Sequence, residues 1–358
     1  MAAGRIPPFD SLAATGAGAE EVLSPVEALF PAWKETFSLL FRPVVRRRWI
    51  SLSVVCAFLG GGTTTAAFQW GLGALPIELR ASEFFLHLRS LIARESGLVI
   101  LVGALTLAFI LGLVYARCVF RFVLIETVVK KDVVLASSWQ SSTPYGNSYF
   151  RWLVAVVGVI LVTACAFLFA SYYHLAPAGQ PIPWWVASLP LLVELAAVVF
   201  LGLLLAIVIT LTDDLAAPLM YAQSISLPAA WRILWRMWRE DRATLLLYLV
   251  LRFAASLVIS VGVLFVLFPA LLGLSSAALI ATAAGVFLLR LVGIGWAWNP
   301  ITMVAGLGLF TLSLFALLSV VGMPGQVFLQ NYGVRFMASR SAALANLCRA
   351  AAGRAAPR

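Results

Sequence analysis

Four ionisable residues stand in or beside apolar stretches where a charge is costly: Glu194, Asp213, Asp214 and Arg252. Glu194 lies nine residues past Trp185, ~14 Å along a helix that rises 1.5 Å per residue. That is near the middle of a hydrocarbon layer about 30 Å thick. A carboxylate there costs about 2.5–3.5 kcal/mol on insertion scales, so it must face other helices, find a partner or carry a proton. Two chemistries follow: coupling to a proton or cation, or a protonated carboxyl bonded to a neighbouring helix. Arg252 falls eight residues into its apolar stretch, and Asp213 and Asp214 close another. An Asp214–Arg252 ion pair is the preferred assignment, with Glu194–Arg252 as the alternative. Either pairing would lock helices together or frame a substrate site.

Catalysis finds little support. His87 and His174 are the only histidines, and the chain has no nucleophile elbow, HExxH or phosphate-cradling glycine loop. Cys56, Cys118, Cys165 and Cys348 show no CxxC or Cys/His spacing, so neither a disulfide framework nor a metal centre is expected. No cofactor and no catalytic residue is assigned. Gly60–Gly62, followed by Thr63–Thr65, interrupts an apolar run. Small residues there allow close helix approach, or local unwinding that exposes carbonyls to an ion.

The elements that would position these residues are membrane helices. At 62% hydrophobic and 11% charged over 358 residues, the chain is far from the composition of soluble domains. The polar segments are too short to bury a core of their own. Apolar runs at about 49–73, 97–117, 152–174, 185–211, 244–269 and 301–322 predict six spans, an all-α bundle of three hairpins. The stretch 272–298, ending near Trp296 and Trp298, is expected to be re-entrant or interfacial. Residues 1–22 read as a disordered tail, 23–340 as one transmembrane domain and 341–358 as a basic C-terminal tail.

Charge sets the orientation. The net charge of +10 comes from basic residues beside apolar spans, where anionic lipid explains them better than nucleic acid. With six spans and both termini in the cytoplasm, most of the 25 Lys and Arg fall on the cytoplasmic side, as the positive-inside bias requires. A seventh span would carry the Arg-rich C-terminus outside. No secretory signal peptide is expected, and arginine far outnumbers lysine, the bias of a GC-rich bacterial genome. A bacterial inner membrane is the expected location.

A pattern recurs on the cytoplasmic side: a Trp-marked amphipathic stretch, a basic cluster, then a hydrophobic hairpin. The copies begin near Trp33, Trp139 and Trp231 and run into Arg46–Arg48, Arg151 and Arg242. Ser24-Pro25-Val26-Glu27 carries a helix start. Val26, Leu29, Phe30, Trp33, Phe37, Leu40 and Phe41 then share one helical face. In the third copy Trp231, Trp235 and Trp238 oppose Arg232, Arg236 and Arg239. Trp33, Trp139, Trp231, Trp235 and Trp238 are therefore expected to be interfacial anchors.

Short motifs also carry a resemblance. Trp33-Lys-Glu-Thr-Phe with Leu40-Phe41-Arg42-Pro43, Asp214 with Pro218-Leu219-Met220-Tyr221, and Ala229-Ala230-Trp231-Arg232 form part of it. Tyr248-Leu-Val-Leu-Arg252 and Tyr332-Gly333-Val334-Arg335-Phe336 complete it. Over roughly residues 26–340 the chain resembles uncharacterised bacterial multi-pass membrane proteins. That group is similar to the membrane domain fused to some glycerophosphoryl diester phosphodiesterases. No catalytic residues come with the resemblance, and the soluble phosphodiesterase domain has no counterpart here. The expectation is a non-enzymatic membrane scaffold or an accessory in lipid or envelope processes. Its partners would be anionic lipids, other membrane proteins or a second copy of the chain. The rival is a small transporter or channel using Glu194 and Arg252, and a lipid-modifying enzyme is the third reading.

Overall fold

The structure is a computed structural model that describes residues 23–42, 45–59, 96–131, 135–175, 184–291 and 300–355. Every regular element among them is helical. In chain order these are α1 (Leu29–Phe41), α2 (Arg46–Leu59), α3 (Ser96–Lys130), α4 (Leu135–Leu175) and α5 (Trp184–Leu211). A single π-helical turn, Thr212–Ala216, joins α5 to α6 (Ala217–Gln223). Then come α7 (Leu227–Glu240), α8 (Arg242–Leu291), α9 (Pro300–Ala338) and α10 (Ala342–Ala355).

Five described stretches are long and apolar enough to cross a membrane: Ile100–Lys130, Leu135–Thr163, Val199–Gln223, Arg242–Ala277 and Ser313–Ala338. Most of the first expected span, 60–73, lies outside the described residues, as do the glycine break Gly60–Gly62 and the tail 1–22.

Burial divides the long helices at a common level. On α3 every residue from Ile100 to Leu113 is exposed, whereas Cys118, Val119 and Phe122–Val129 are buried. The same change occurs near Leu153 on α4, Ile209 on α5, Ile259 on α8 and Val321 on α9. One end of the molecule is thus a packed base, and the other is a set of apolar helices with outward-facing side chains. Apolar surface on that scale is what a lipid environment covers. α3, α5 and α9 run into the base by their C-terminal ends, and α4 and α8 leave it by their N-terminal ends.

The base also holds the shorter helices. α1 enters through the expected capping box: the Ser24 N–H donates to Glu27 Oε2 at 2.7 Å, and the Glu27 N–H to Ser24 Oγ at 3.2 Å. Those bonds hold the Glu27 carboxyl below its usual range. α1 packs inward through mostly small residues, and the aromatic residues of the stripe expected along the membrane surface face outward. Ala28, Ala32, Thr36 and Leu40 are buried, while Phe30, Trp33 and Phe37 are exposed. Small residues let α1 lie close on α9, where Asn331 Nδ2 donates to Thr36 Oγ1 at 2.9 Å. Arg335 forks onto Glu35 across the same contact. Gly146 on α4 serves α3 similarly: a Cβ there would lie 2.7 Å from Val119 Cγ2.

Within the expected basic C-terminal tail, 341–358, Ala342–Ala355 form α10, with Leu344, Ala345 and Ala351 buried. Two expectations need correction. Residues 272–291 are no separate re-entrant element, because α8 runs unbroken through Pro269 for 50 residues. Proline removes one backbone bond there without ending the helix. The three Trp-marked segments are also unlike one another. α7 is a distinct helix closed at Asp241, whereas Trp139 lies in the first turns of the 41-residue α4.

Candidate functional site

The centre of the base is polar. Asp214 is fully buried on the π-helical turn. Its Oδ1 accepts from Arg121 Nη2 of α3 at 2.9 Å, and its Oδ2 from Arg252 Nε of α8 at 2.5 Å. Tyr248 Oη, one turn before Arg252, reaches Oδ2 at 3.5 Å. Asp213 accepts from Tyr149 Oη of α4 at 2.7 Å and lies 3.7 Å from Arg121 Nε. Two carboxylates thus meet two guanidiniums, and the cluster is neutral. It joins α3, α4, the π-helical turn and α8.

Local sequence explains the widened turn. In an α-helix the N–H of residue 218 would bond the carbonyl of Asp214, but Pro218 has no N–H. The helix instead admits an i→i+5 bond, from the Ala217 N–H to the Thr212 carbonyl. Such single π turns often sit at functional positions. Here the turn presents two consecutive acidic side chains inward, Asp213 to α4 and Asp214 to α3 and α8.

α9 closes the site. A Cβ on Gly333 would lie 2.6 Å from the Asp214 carbonyl oxygen and 3.2 Å from Tyr248 Oη. Tyr248 stacks between Tyr332, with centroids 4.9 Å apart, and Phe336, at 4.5 Å. Desolvation in such a place is tolerable only because both Asp214 oxygens are bonded; an unpaired charge would cost several kcal/mol.

The residues expected to carry chemistry are only partly assembled. Asp213, Asp214 and Arg252 come together, and the preferred Asp214–Arg252 pair is present. Glu194 lies on α5, but its side chain is outside the described residues. Arg121, which in sequence is only one of the basic residues on the expected cytoplasmic side, bridges both aspartates. Tyr149 gave no signal in sequence. Of the expected anchors, Trp33 and Trp235 are exposed. Trp139, Trp231 and Trp238 pack on the core; Trp139 sits edge-on to Phe120, and Trp231 stacks on Trp152. Among the described residues no group of three or more His, Cys, Asp or Glu is placed to hold a metal.

Several residues of the short motifs, Asp214, Pro218, Tyr248, Arg252, Tyr332 and Gly333, converge on this one place. Residues 23–347 match a family model described as a family of unknown function, DUF7544. The chain belongs to this family. The matched region takes in the whole cluster and the start of α10, so the family unit covers base and apolar helices together. No curated protein and no solved structure matches the chain.

Proposed function

We propose that the protein is a non-enzymatic multi-pass membrane scaffold, or an accessory in lipid or envelope processes, whose buried Asp214 cluster locks its helices at a fixed geometry. The observation that carries this reading is closure. Asp214 has no exposed surface, and both its oxygens are taken by arginines of other helices. A transport site must instead offer unsatisfied groups to a solute. The resemblance to membrane domains that accompany lipid phosphodiesterases supports the lipid-related setting.

Topology follows the same reading. α8 leaves the base and α9 returns to it, which favours one hairpin over 242–338 and six spans in all, with 49–73 as the first. Arg117, Lys130, Lys131, Arg151, Arg232, Arg236 and Arg239 gather at the base, so the positive-inside bias puts it in the cytoplasm with both termini. A bacterial inner membrane fits this arrangement. α7 would lie along the membrane surface, since Leu227, Ala230 and Leu234 face the core while Arg232, Arg236 and Arg239 are exposed.

Ion and proton flux into proteoliposomes, measured beside native mass spectrometry of the purified protein, tests the reading. Stoichiometric protein partners or specific lipids without flux are expected. Flux abolished by Glu194→Gln would replace the scaffold with a transporter.

A further inference from the structure

We infer that the groove between α1, α8 and α9 binds one phospholipid with an anionic headgroup. The inference rests on the membrane reading above. The groove has a volume of ≈ 530 Å³ and is walled almost entirely by apolar side chains, Phe37 and Phe41 of α1, Val258 and Val263 of α8, and Val321 and Phe328 of α9 among them. It opens where α8 and α9 pass from the packed base to exposed apolar surface, near Ile259 and Val321. That level is where headgroups meet acyl chains.

Glycines make room for it. Gly325 lets α9 lie against α8, since a Cβ there would run into Ile259 Cγ2. Gly262 faces the groove with nothing within 4 Å of an added Cβ. The empty volume at Gly262 is therefore not a packing requirement of the helices themselves.

Charge selects the occupant. α1 ends at Phe41, a groove residue, and Arg42, Arg46 and Arg47 follow within six positions, all exposed. The start of α2 is fastened beside the groove: Arg48 Nη1 donates to the Leu39 carbonyl at 3.1 Å, and Trp49 Nε1 to the Leu40 carbonyl at 2.8 Å. Among the described residues Arg42, Arg46 and Arg47 have no ion-pair partner, in contrast to Arg121, Arg252 and Arg335. Three unpaired guanidiniums beside an apolar slot suit a phosphate on an acyl chain. A second copy of this chain would bring the same positive cluster to its own groove and be repelled.

The test reconstitutes the full chain into vesicles of equal phosphatidylglycerol and phosphatidylcholine, extracts it in mild detergent and counts retained lipid by native mass spectrometry. One phosphatidylglycerol per chain is expected, about tenfold preferred over phosphatidylcholine. Gly262→Leu fills the groove with a better helix former, so it should lose the retained lipid while unfolding at the wild-type temperature. Replacing Arg42, Arg46 and Arg47 together by Glu alters only exposed side chains and should abolish the headgroup preference while lipid is still retained. Equal retention of the two lipids overturns the inference, as does unchanged retention in Gly262→Leu or a dimer closed over the groove. Failure of the chain to float with vesicles would overturn the membrane reading too, whereas floating without retained lipid overturns the site alone.

Discussion

Gly333 of α9 lies directly against the backbone of Asp214: a methyl group at position 333 would sit 2.6 Å from the Asp214 carbonyl oxygen. The carbonyl is the one that Pro218 leaves without its α-helical donor. The proline that widens the turn and the glycine that covers it are thus two parts of one arrangement, and the buried carboxylate is held between them.

Gly333→Ala tests this contact by sign. An alanine in a helix interior is ordinarily favoured over glycine by ~1 kcal/mol. At Gly333 the close approach should reverse that and cost about 1–3 kcal/mol, the usual range for overpacking. Gly112→Ala, where an added Cβ meets nothing within 4 Å, should be neutral or stabilising. Reversible unfolding in mixed micelles reads both; equal effects at the two positions would count against the contact.

Much of this arrangement was legible in the sequence, but unevenly. Asp214 and Arg252 stood out because each is a charge at the edge of an apolar run, and desolvation makes a partner obligatory. Arg121 did not, since Arg117, Lys130 and Lys131 surround it in sequence and a positive-inside count treats them alike. Its inward direction is set by helix packing over 93 residues of separation, which periodicity cannot supply. The π-helical turn had a local signal, the missing N–H of Pro218 four residues after Asp214. The packing of α10 was not legible because its arginines and alanines resemble a solvated tail, while of its buried residues only Leu344 is large. The inward face of α1 was missed for the opposite reason: Ala28, Ala32 and Thr36 are small, and the aromatic residues beside them dominate the pattern.

Tyr149→Phe removes the hydroxyl that donates to Asp213 at 2.7 Å. A hydrogen bond to a charged group is worth about 1.5–3 kcal/mol, more than a neutral one. The variant should unfold earlier by that margin with its helix content unchanged by circular dichroism. A wild-type midpoint would show that Arg121 alone suffices for Asp213.

Acid should loosen the start of α1. The Glu27 carboxyl is held below its usual range chiefly by the Ser24 backbone N–H. A carboxyl depressed on folding contributes stability at pH values above its unfolded pKa, and that contribution disappears as pH falls through the folded value. NMR titration of Glu27 should give a midpoint below that of an unstructured glutamate, and Ser24→Ala should move it upward. A wild-type midpoint equal to that of an unstructured glutamate would mean that the capping box does not persist in solution.

Topology has a direct check. Reporters active only in the cytoplasm or only outside it, fused after Arg358, should register the cytoplasm, because α9 and α10 end in the base with its positive charge. An outside signal would place the base and both termini outside the cytoplasm and would overturn the orientation read from the positive charge.

The claim that Asp214 is a structural lock is tested most directly by unfolding Asp214→Leu beside the double variant Asp214→Leu/Arg252→Met. Breaking a buried pair strands the remaining charge at a cost of about 3–5 kcal/mol, whereas replacing both partners by apolar residues is often nearly neutral. Arg121 would keep Asp213, 3.7 Å away, in either protein. The account predicts a large loss for the single variant and recovery of most of it in the double. A single variant as stable as wild type, or a double no better than the single, would contradict it.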